Sequence, residues 1–78
     1  MRVVAEKKWA YVVVDDGKDW ILTYLIGGVI EVDVSVRLSD EERNLIKLDP
    51  ANVEKLVEMM TKRRSAFSSR EINPPIWP

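Results

Sequence analysis

Seventy-eight residues carry twelve basic and thirteen acidic side chains, no histidine and no cysteine. That length sustains one small domain, which buries roughly 60–65% of the surface its unfolded chain exposes and leaves little room for an enclosed pocket. Without thiolate or imidazole there is no cysteine nucleophile, imidazole base, zinc finger or disulfide scaffold, and a formal charge of −1 weighs against a mainly electrostatic nucleic-acid or membrane binder.

The chain begins with charges at Arg2, Glu6, Lys7 and Lys8, which interrupt the apolar stretch a secretory signal needs. Residues 9–15 are β-branched and aromatic and predict a first strand. Asp16-Gly17 then breaks the run, and residues 19–26 predict a second strand. An Asp-Gly pair in that position suits a two-residue hairpin turn, because the turn needs positive φ. Gly27-Gly28 offers the same chemistry before a third strand at 29–38, where Ile30, Val32, Val34, Val36 and Leu38 alternate with polar residues. The uncharged run 20–30 is too short to cross a bilayer, so a cytoplasmic protein is the expectation.

Two-residue turns would set the register. Tyr11 would face Leu22, Trp20 would face Ser35, and Tyr24 would face Glu31. One sheet face would then carry Val12, Val14, Ile21 and the aliphatic side of the third strand. The other would carry Trp9, Tyr11, Trp20, Leu22 and Tyr24 beside Glu31, Asp33 and Arg37. A slip of one residue in either turn would invert the affected strand.

The second half reads as helical. Ser39-Asp40-Glu41-Glu42 fits a capping box and predicts a short helix over 39–46, with an extended fourth strand over 43–48 as the rival. Asp49-Pro50 supplies an N-cap and a first-turn proline for a helix over 50–64, whose Val53, Leu56, Val57 and Met60 share one face. Residues 67–78, with Pro74, Pro75 and Pro78, predict an extended tail. The fold expected is α+β: a small antiparallel meander of three or four strands with one C-terminal amphipathic helix across its aliphatic face. Residues 1–66 form the domain and 67–78 the tail.

Chemistry is sparse. Asp15-Asp16-Gly17-Lys18-Asp19 starts like a calcium loop, but Trp20 stands where the glycine belongs and Ile26 where the glutamate belongs. The serines have no histidine partner, and three glycines make neither a Walker nor a Rossmann pattern. No catalytic residue, metal site, cofactor or small-molecule substrate is expected. The aromatic face is what remains. If one helix covers the aliphatic face, Trp9, Tyr11, Trp20 and Tyr24 are left as an apolar patch larger than a monomer usually leaves wet. The tail, with Phe67, Ile72 and Trp77, could fold back over it, or a second copy could cover it.

The functional expectation is a small non-enzymatic protein-interaction module, self-associating as a homodimer through that face. Trp9, Tyr11, Trp20 and Tyr24 would anchor it, Glu31, Asp33 and Arg37 would form the polar rim, and Trp77 would add a contact from the tail. A single-stranded nucleic-acid accessory is one alternative, because aromatics on a small sheet can stack bases, although acidic neighbours oppose it. An inhibitor or immunity-type partner of a larger protein is another.

Overall fold

A computed structural model describes residues 1–26 and 32–78. Among them, five antiparallel strands form one open sheet in chain order: β1 (Arg2–Lys7), β2 (Tyr11–Asp15), β3 (Trp20–Ile26), β4 (Val32–Arg37) and β5 (Glu71–Ile72). Between β4 and β5 run α1 (Asp40–Leu48), α2 (Asn52–Lys62), the single turn α3 (Arg64–Phe67) and a 3-10 turn, Ser68–Arg70. The class is α+β as expected, but with more elements. β1 escapes a sequence reading because Val3, Val4 and Ala5 lie between charges without clean alternation. β5 escapes because it is only two residues, paired as Ser35 with Ile72 and Val36 with Glu71.

The first hairpin of the prediction is longer than two residues. Asp15 pairs with Trp20 and Tyr11 with Tyr24, leaving residues 16–19 as the loop. Aspartate chemistry explains the difference. Asp15 Oδ1 accepts from Gly17 N at 2.8 Å, and Asp16 Oδ1 accepts from Lys18 N and Asp19 N at 2.9 and 2.7 Å. Those backbone donors hold the Asp16 carboxyl below its ordinary value. Gly17 takes φ +96°, the position at which the loop requires glycine. The register moves by two residues, so β2 and β3 keep their predicted faces.

Between β3 and β4 the register moves by three. Tyr24 pairs with Val34 and Leu22 with Val36, where Glu31 and Asp33 were expected. An odd shift turns every β4 side chain over. The predicted Gly27-Gly28 turn lies outside the described residues. The consequence is a single main core on the face that carries the aromatics: Val13, Trp20, Leu22 and Tyr24 from β2 and β3, Val34 and Val36 from β4, and Leu38. The helices cover this face through Ile46, Val53, Leu56, Met60 and Phe67. Burying Val53, Leu56 and Met60 contributes about 1.5–3 kcal/mol each before entropy is counted. The helices therefore lie on the aromatic face and not on the aliphatic one.

The helix starts follow different rules. Ser39 caps α1 in a capping box, with its hydroxyl accepting from Glu42 N and its own N–H donating to Glu42 Oε1 at 2.7 Å. Residues 43–48 are helix, so the rival strand is excluded. Asp49 does not cap α2. It ends α1 by donating to Leu45 O, and its carboxylate accepts from Ala51 N in a turn that delays α2 to Asn52.

The opposite sheet face has a smaller cluster, Val12, Val14 and Ile21, against which Ile72 and Ile76 pack. The tail thus folds back, but onto the other side from the one expected. Of the three residues predicted to cover the aromatics, only Phe67 joins Trp20 and Tyr24 in the core.

Candidate functional site

The eight residues expected to form one binding face are divided by the flipped strand. Trp20 and Tyr24 belong to the core beneath the helices. Arg43 and Lys47, one turn apart on α1, hold their cations 5.2 and 5.6 Å from the Trp20 ring centre. Tyr24 is fully buried, its hydroxyl has no hydrogen-bond partner among the described residues, and burial pushes its phenol up. Neither aromatic is available as a surface anchor. Glu31 lies outside the described residues. Arg37 is exposed, with its Nε 3.8 Å from Asp19 Oδ2. Asp33 is on the tail face, where its Oδ2 accepts from Trp77 Nε1 at 2.7 Å. Among the described residues, Trp20 and Tyr24 share no exposed face with Asp33 and Arg37.

Trp9 has a different setting. It sits in the β1–β2 turn, which Ala10 N closes by donating to Lys7 O at 2.9 Å. Trp9 is the third residue of that turn and takes φ 68°, a position glycine or asparagine usually fills. The residue is 84% exposed. Lys8 lies over the ring at 5.9 Å.

Clefts flank the indole on both sides. On the helix side a cleft of about 330 Å³ is lined by Trp9, Tyr11, Leu25, Glu54 and Val57. On the tail side one of about 240 Å³ is lined by Glu6, Lys8, Trp9, Tyr11, Trp77 and Pro78. Lys7 borders both, and its Nζ donates to Glu54 Oε1 at 2.9 Å, which holds the ammonium above its ordinary value. Of the predicted anchors, Trp9, Tyr11 and Trp77 do meet here. Glu54, Leu25 and Val57 join them without any signal in the sequence, because β1 had to be known before Lys7 could be placed beside α2.

The tail is seated by hydroxyls. Thr23 on β3 and Ser35 on β4 are paired across the sheet, buried, and hydrogen-bonded to each other. Thr23 Oγ1 donates to Ile76 O at 2.7 Å, and Ser35 Oγ accepts from Ile76 N at 2.8 Å. A threonine within an apolar strand and a serine opposite it is a detectable cross-strand signal once the register is right. Among the described residues no helix is long and apolar enough to cross a membrane, and no three acidic side chains converge as a metal site would need. Comparison with protein-family models, with curated proteins and with solved structures finds no match.

Proposed function

We propose that this chain is a small non-enzymatic interaction module that self-associates through the Trp9 turn. The observation that carries the reading is a protruding indole, held in a strained backbone conformation, with clefts of about 330 and 240 Å³ on either side. A two-fold dimer needs one patch that is complementary to itself. A ring and a cleft on the same patch satisfy that: each copy can place Trp9 in the cleft beside the other's Trp9. Tyr11 and Trp77 would extend the apolar centre, and Lys7, Lys8, Glu6 and Glu54 would form the charged surround. Lys7 is engaged by Glu54 and Glu6 lines the tail-side cleft, which weighs against the phosphate tracking that a single-stranded nucleic-acid accessory needs.

Light scattering across a concentration series tests this. The wild-type chain is expected to dimerise at micromolar concentration, and Trp9→Ala, which removes an exposed ring, to remain folded and monomeric. A wild-type chain that stays monomeric at high micromolar concentration ends the reading.

A further inference from the structure

The sheet face opposite the helices has the properties of a peptide site. Three side chains on adjacent strands, Thr23, Ser35 and Asp33, address one extended segment. Thr23 and Ser35 bond the main-chain carbonyl and amide of a single residue, Ile76, and Asp33 takes the indole N–H of the next, Trp77. The Ile76 side chain rests on the small apolar cluster of Val12, Val14 and Ile21. Main-chain bonds supply affinity for any extended segment, while the apolar floor and the carboxylate select its side chains.

The occupant is held lightly. Beyond β5 it makes no strand pairing, since Pro74, Pro75 and Pro78 have no N–H to give. Only Pro75 and Ile76 are half-buried, and Trp77 remains 44% exposed. Proline also keeps the segment extended before it docks, which lowers the ordering cost of binding.

We propose that this face is a docking site for an extended proline-apolar-tryptophan segment of a partner protein, and that residues 75–77 occupy it in cis as a strap. The partner's segment makes the same three hydrogen bonds when the tail lifts. This goes beyond the Trp9 reading and rests on different residues apart from Trp77, which also lines the tail-side cleft beside Trp9.

The probe is a labelled hexapeptide with the sequence of residues 73–78, titrated by fluorescence anisotropy into full-length chains. A tethered tail competes at roughly millimolar effective concentration. The Ile76→Ala/Trp77→Ala chain is therefore expected to bind the peptide about tenfold or more tightly than wild type. Adding Ser35→Ala, which deletes the acceptor for the amide of Ile76, should weaken that binding severalfold. Equal binding to both chains, no binding to the double variant, or indifference to Ser35→Ala overturns the proposal. Should the double variant fail to fold, Trp77→Phe replaces it: that chain keeps the ring, loses the bond to Asp33, and must still bind the peptide more tightly than wild type. Light scattering on wild type and on Trp9→Ala, both with Trp77 intact, reads the Trp9 interface separately, so either reading can fail alone. A dimer that Ile76→Ala dissociates would give the place to a second copy's tail and overturn the assignment to a partner.

Discussion

Trp9 pays for its position in backbone strain, since a residue with a Cβ in the left-handed region costs about 1–2 kcal/mol. Its exposed ring recovers little of that within one chain. Trp9→Gly should therefore leave the fold no less stable, or stabilise it by up to about 1 kcal/mol once glycine's own entropy is subtracted. Urea unfolding measures this, and a loss above about 1 kcal/mol would mean that the indole packs as structure. Tyr24 is the converse case, a polar atom placed where nothing among the described residues answers it. A buried hydroxyl without a partner costs about 1–3 kcal/mol in desolvation, so Tyr24→Phe should raise stability by about 1 kcal/mol in the same assay. A destabilised Tyr24→Phe would show that the hydroxyl is bonded in solution. Turn chemistry is why Trp9 was not legible: Lys8-Trp9-Ala10 contains none of the glycine, proline, asparagine or aspartate that usually marks a turn.

Elements that carry local instructions were readable, and those joined by distant groups were not. α1 starts where Ser39 and Glu42 say it should. Nothing local reveals that Glu42 also binds Arg70, 28 residues away, through contacts of 2.6 and 3.3 Å, while Arg70 donates to Arg37 O. That one carboxylate ties the start of α1 to the 3-10 turn, and through Arg70 to the end of β4. Burial alone would raise the Glu42 pKa, but the hydrogen bonds from Arg70 and from the Ser39 backbone outweigh it and hold the group below the ordinary glutamate value. A carboxyl depressed in the folded state stabilises the fold fully above its unfolded value. That stabilisation is lost as pH falls through the folded value. Acid should therefore weaken the wild-type chain more steeply than Glu42→Gln, even though the variant starts less stable at neutral pH. Thermal melts of both chains from neutral pH downward check the slopes, and parallel slopes would remove Glu42 as the acid-sensitive group.

For the whole molecule, one odd register shift decides the arrangement. With β4 turned over, the aliphatic and aromatic residues join in one core under three helices, and Asp33, Ser35 and Thr23 become the seat of the tail. The alternation within residues 32–38 was legible; which side it faced depended on the register between β3 and β4, where any odd shift turns the strand over. The sheet is therefore covered by two layers of unequal strength. Among the described residues the helix layer contributes five buried side chains, Ile46, Val53, Leu56, Met60 and Phe67, whereas the tail layer rests on Ile72, Ile76 and three side-chain hydrogen bonds. Layers with so few apolar contacts open at lower free energy than the global fold. The three tryptophans sample this: Trp20 lies in the core, Trp77 in the tail and Trp9 on the turn. In a chain labelled with fluorotryptophan, the Trp77 resonance should move toward its unfolded position at denaturant concentrations where Trp20 has not yet responded. Trp20 should then move only in the cooperative transition. Coincident transitions at the two sites would mean that tail and core unfold as one unit, and the strap could not lift without unfolding the sheet beneath it.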